Sequence, residues 1–218
     1  MAAVTEYTLR RSPRARRARV SVESDGAVLV TLPQRAPARA ADEAVRELAP
    51  WIERRRRALA RAAAEVARTP GTVPYLGREL VLVPQPGRTR VHRRGDSLLV
   101  PAGPRSEALE RWYRRAARAE IAPRLDAAVA RAGTTYNGLT IRGQRTRWAS
   151  CSSTGAMSFN WRLLLAPDSV LEYVVRHEAA HLAVMDHSPR FWAVMARLMP
   201  GYEVPRRWLR DHGATLVL

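Results

Sequence analysis

The feature that most restricts how this chain can fold is the stretch V-L-E-Y-V-V-R-H-E-A-A-H-L-A-V-M at residues 170–185. Val170, Val174, Val175, Ala179, Ala180 and Leu182 make it apolar around much of its circumference, so the spacing predicts a buried helix. Within it, His177 and His181 stand four residues apart and share one helix face, one turn from each other. Burying two imidazoles and the Glu178 carboxylate without a partner is costly. A metal ion answers all three groups. Two imidazoles grip it, while Glu178, about 100° further round the helix, reaches a metal-bound water without taking a ligand position.

Catalytic zinc sites ordinarily have three protein ligands and one open position. His187 is the best third ligand, six residues past His181, where Asp186, Ser188 and Pro189 mark the end of the helix. That is the second-to-third ligand spacing of metzincins, without the glycine they use to bend the chain, so the bend must be made differently. Glu203 is the competing third ligand, in the manner of gluzincins. Asp186 reads as a supporting or capping residue. His92 and His212 read as non-ligands. Cys151 reads as a packing residue, with a thiolate approaching the metal as its alternative.

The rest of the chain must supply a core for this helix. Residues 18–23 and 27–32 alternate around Asp25-Gly26 and predict a hairpin. A helical pattern runs over 41–67, with Pro50 kinking it or starting a second helix. Short strands are expected over 79–83, 88–92 and 97–100, the last two joined at Gly95-Asp96, and a long helix over 106–132, stopped by Gly133 and carrying Pro123. Residues 139–141, 148–151 and 157–161 read as strands. Pro167-Asp168-Ser169 opens the histidine helix, and Phe191, Trp192, Met195 and Leu198 mark a helix covering it. Trp148 and Trp161 are read as core aromatics, whereas Arg145, Arg147 and Arg162 are candidates to stabilise an oxyanion. A strand edge beside the metal suits an extended substrate.

Several of these segments resemble one family. Trp148-Ala149-Ser150-Cys151-Ser152-Ser153, Asn160-Trp161-Arg162-Leu163, H-E-A-A-H and His187-Ser188-Pro189-Arg190-Phe191-Trp192 closely resemble the YgjP-like metallopeptidases, which are related to SprT-like proteases. The resemblance is tight over 145–192 and looser back to the N-terminal hairpin. It implies His187 as the third zinc ligand beside His177 and His181. It also implies an α+β fold, with a minimal zincin-like core in which the active-site helix packs on a short sheet. An N-terminal unit rich in β-hairpin precedes that core, and long helices complete the fold. The expected division is 1–103 for the N-terminal unit and 104–218 for the core.

The activity so implied is hydrolysis of a peptide or protein substrate, with Zn²⁺ as cofactor and Glu178 as general base. Two rivals share the site: a metal-dependent hydrolase of nucleotides or other phosphate substrates, and a DNA-associated SprT-like protease. Against the first, the sequence has no P-loop or glycine-rich cradle. A purely structural zinc site leaves Glu178 unexplained. The formal charge is +17, and all 37 basic residues are arginine. With the abundant alanine this skew reads as GC-rich coding, although nonspecific attraction to nucleic-acid phosphates through the Arg-rich surface still follows from it. No apolar run approaches the roughly 20 residues of a membrane span. The opening residues lack a secretory h-region and Cys151 is the only cysteine, so a cytoplasmic protein without a membrane partner is expected.

Overall fold

The computed structural model describes residues 6–66, 69–144 and 147–218. Ten strands and six α-helices are formed among them, a mixed α+β architecture of small sheets. The chain divides into two compact units, 1–67 and 68–218, each with its own buried apolar cluster.

In the first unit, β2 (Arg19–Val22) and β3 (Val28–Pro33) form the expected hairpin, with Val20 opposite Val30. Gly26 takes φ +83° in the turn, and the Asp25 carboxylate accepts from the Ala27 amide. β1 (Tyr7–Ser12) joins the other side of β3 in parallel, an element the sequence did not announce. Its side chains are mostly exposed, so it lacks the apolar alternation that marks a strand. The helical stretch is two helices, α1 (Arg39–Glu47) and α2 (Ala49–Glu65), and Pro50 sits in the first turn of α2. Ala67 lies outside the described residues.

The second unit begins with a four-stranded sheet, order β4-β5-β7-β6, from β4 (Thr72–Tyr75), β5 (Arg78–Gln85), β6 (His92–Arg94) and β7 (Ser97–Pro101). It is a sheet of its own, not an extension of the first. β4 also escaped the sequence reading, because its turn is Leu76-Gly77 and not the usual Asn-Gly. Leu76 accepts φ +51° while packing on the core, and its amide donates to the Leu164 carbonyl. Pro74 is tolerated because β4 is an edge strand. Of the segment 88–92, only His92 is in a strand.

α3 (Ser106–Ala132) runs unbroken through Pro123 and ends at Gly133, φ +66°. It buries Leu109, Trp112, Tyr113, Ala117, Ile121 and Leu125. Tyr75, Trp112, Tyr113 and Trp161 form a chain of ring contacts that joins the four-stranded sheet to the elements after it. This is why the units divide at 67/68 and not at 103/104: residues 73–100 supply one side of the core that α3 and α4 complete.

The next sheet has the order β8-β10-β9, from β8 (Gly138–Arg142), β9 (Ala149–Cys151) and β10 (Ala156–Asn160). Trp161, expected to end the last strand, begins a 3₁₀ turn, Trp161–Leu165, capped by the Asn160 side chain. α4 (Asp168–His181) follows, packed against α3 and β9. Pro167 is its N-cap and no side chain caps it; Asp168 instead pairs with Arg124 at 2.8 Å. α5 (Pro189–Leu198) and α6 (Glu203–His212) pack on α4. Among the described residues, no helix is long and apolar enough to cross a membrane.

Candidate metal centre

α4 holds the Glu178 side chain in the core, 6% exposed, while His177 and His181 emerge half-buried on the adjoining face. The helix ends at His181 without a glycine. Leu182 and Ala183 donate to the carbonyls of Ala179 and Ala180, three residues back, so the α-helix tightens and stops. Among the described residues, Leu76 is the only non-glycine with positive φ, so this bend uses no left-handed residue. The Asp186 carboxylate then accepts from the Ser188 amide at 3.2 Å, Pro189 starts α5, and the exposed His187 is carried back over α4.

The three imidazoles converge. His187 Nε2 is 3.0 Å from His177 Nε2, and the candidate donor atoms of all three residues lie within 4.8 Å of one another. A tetrahedral ion with bonds of about 2.0–2.1 Å to nitrogen needs donors about 3.3 Å apart; the His177–His187 pair is near that spacing, and the three residues together could hold one ion. His181 Nδ1 faces the Val184 carbonyl at 3.2 Å. A carbonyl only accepts, so the ring's proton sits on Nδ1 and its lone pair on Nε2. Burial, and then the neighbouring His181, His187 and Arg206, push His177 down to about 3. Burial also lowers His181, against its hydrogen bond to Val184. Neutral rings are what a metal requires.

Burial raises Glu178 to about 7, opposed by a hydrogen bond from the Cys151 backbone amide. A carboxylate in that range can both take and return a proton near neutrality. Cys151 itself is pushed up to about 11 by burial and by the charge of Glu178, and its thiol stands outside the histidine cluster. Glu203 is exposed at the start of α6 and does not join the cluster. Nor do His92, held by Arg88, or His212, stacked on Trp208. Of the oxyanion candidates, Arg145 lies outside the described residues and Arg147 is exposed. Arg162 lies over the Trp161 ring and donates to the Gly143 carbonyl at 3.3 Å. Trp161 is a core residue and Trp148 a partly buried one.

The supporting side chains were less visible in the sequence. Phe191, fully buried, meets all three imidazoles with ring centroids 4.5–4.9 Å away. Trp192 Nε1 donates to the His187 carbonyl at 3.1 Å; its ring stacks on Tyr202 and under Arg206. Tyr173, one turn before His177, brings its hydroxyl within 3.5 Å of His177 Nδ1. The i, i+4 spacing to His177 was the available signal for Tyr173. Nothing local in the sequence marks Arg206.

Fold and site together define a mixed α+β protein with two imidazoles on one helix and a third on the loop that follows it, beside a buried glutamate, a donor set suited to a divalent metal. The YgjP-like metallopeptidase domain matches residues 16–212, nearly the whole chain, and the protein belongs to that family. The metallopeptidase zymogen of Pyrococcus abyssi abylysin is similar in structure over 41% of this chain and 92% of its own, at 23% identity and a TM-score of 0.38. No curated protein matches the chain.

Proposed function

We propose that the protein is a zinc-dependent peptidase with a zincin-like core, in which His177, His181 and His187 hold the metal and Glu178 is the general base. When bound, zinc supplies a Lewis acid that lowers the pKa of a water and polarises the scissile carbonyl. Glu178 takes the proton of the attacking water and passes it to the leaving amine, a shuttle that its burial favours by holding it near 7. Strand β9 supplies the substrate ledge. The Trp148 carbonyl and the Ser152 amide bond to residues of the β10 side, so by alternation the backbone groups of Ala149 and Cys151 face the free edge. The Cys151 amide is held by Glu178, which sets the catalytic carboxylate beside that edge. An extended peptide adding there lies against the base.

The observation that carries this reading is the convergence of three imidazoles beside a buried carboxylate in a chain of the YgjP-like metallopeptidase family. Its test is hydrolysis of denatured protein before and after chelation, with a nucleotide panel run in parallel. Zinc should restore peptide cleavage after chelation. Glu178→Gln should retain zinc and fold while turnover falls by about 10²–10⁴. Cleavage of nucleotides in place of peptides, or full turnover by Glu178→Gln, would overturn the reading.

A further inference from the structure

A second candidate site lies in the same unit, where β6 meets the first half of α3. Arg90, His92 and Arg93 come from the β6 side and Arg111 and Arg115 from α3, around a recess of about 600 Å³ backed by Val91 and Trp112. No carboxylate lines it. Arg111 and Arg115 are one helical turn apart and share a face. Arg111 is partly offset by Glu107 at 3.3 Å, and Arg93 by Asp96 at 3.9 Å, while Arg93 also bonds the Gly95 carbonyl and lies over Tyr75. Among the described residues, Arg90 and Arg115 have neither an ion pair nor a hydrogen bond, and both are exposed. His92 is oriented as well. Arg88 can only donate, so His92 Nδ1, 2.9 Å from Arg88 Nη1, is the acceptor and the ring's proton sits on Nε2 as a further donor.

We infer that this recess binds the phosphodiester backbone of a single-stranded nucleic acid. Arg90 and Arg115 stand without a counter-charge beside Arg93 and Arg111, whose carboxylate partners lie outside the lining of the recess, and a ligand bearing several closely spaced anions relieves the repulsion among the four guanidinium groups. Guanidinium forks match phosphate oxygens bidentately. A phosphodiester chain presents a charge at every unit whatever its sequence, and a recess of this size admits a short segment of one strand. The sequence reading made the arginine surface diffuse and nonspecific; the structure concentrates part of it on one concave face. This site does not depend on the proposed peptidase reaction.

The test is fluorescence anisotropy of the full chain with a labelled oligothymidylate across a salt series, against a poly-glutamate peptide and inorganic polyphosphate. Arg90→Ala/Arg115→Ala should weaken oligothymidylate binding at least tenfold and lower the salt slope by about 1.4, at about 0.7 per lost single-strand contact. Arg54→Ala/Arg61→Ala removes the same charge from exposed positions of α2 and should change affinity less than twofold. Equal losses from the two pairs would reduce the site to diffuse attraction and overturn it. So would tighter binding of the acidic peptide or of polyphosphate, or no oligothymidylate binding at 150 mM salt.

Discussion

His187 is exposed, and its place beside His177 depends on groups that contribute no ligand. Trp192 fixes the His187 carbonyl through one N–H donor, and Phe191 presses on all three rings. Trp192→Phe keeps an aromatic ring but deletes that donor. It should weaken zinc binding by about tenfold, in the range found for lost supporting hydrogen bonds, with the fold intact. Competition against a chromophoric chelator measures it; unchanged affinity would show that the helix turn alone sets the His187 position. At this scale much of the site was legible. The H-E-A-A-H spacing fixed which rings share a face, and the Asp186-Ser188-Pro189 signal located the chain reversal. The covering helix that carries Phe191 and Trp192 was legible as well; what stayed hidden was which of its side chains meet the imidazoles, because an apolar helix face does not show that until the fold lays it against them.

The elements carrying the site are tied by charge as well as by apolar packing. Arg124 of α3 meets Asp168 at 2.8 Å and Glu172 at 3.1 Å on α4, and pairs with Glu120 of its own helix. Arg176 extends the chain from Glu172 at 3.0 Å to the Leu198 carbonyl at the end of α5. Burial pushes Glu120 up, but hydrogen bonds from Arg124 and Tyr75 outweigh it and hold the carboxyl below its ordinary 4.5. A depressed carboxylate stabilises the fold above its unfolded pKa, and that stabilisation is lost as pH falls through the folded value. Arg124→Ala should therefore cost about 2 kcal/mol near pH 7, since it strands partly buried carboxylates. The difference from the native chain should shrink below pH 4.5. Denaturant melts at pH 7 and pH 4 check both the size and the sign; a pH-independent difference would mean lost packing alone. None of this was legible in the sequence, because α3 and α4 meet through residues 44 positions apart. Asp168 marks the start of α4 in the sequence, but its partner on α3 is remote.

For the whole molecule, the sequence placed a boundary near residue 103, whereas the contacts divide the chain at 67/68. That reading grouped the strands expected over 79–83, 88–92 and 97–100 with the first hairpin in one N-terminal unit. Their burial shows the reverse: Val73, Tyr75, Leu80, Leu98 and Val100 share a core with Trp112, Trp161 and α4. A chain cut to residues 68–218 should fold cooperatively and bind zinc within severalfold of the full protein, as read by thermal melts and metal titration. A chain cut to 104–218 should not, since it exposes the apolar face of α3. Cooperative folding of the shorter piece would restore the boundary at 103/104.

All of the proposed chemistry depends on three imidazoles sharing one zinc ion. X-ray absorption at the zinc edge of purified native protein, beside Glu178→Gln and His187→Ala, measures this directly. One zinc per chain with three nitrogen donors at about 2.0–2.1 Å, kept in Glu178→Gln and reduced by one nitrogen in His187→Ala, is the predicted result. A carboxylate in place of one imidazole, or peptidase activity in protein that holds no metal, would contradict it.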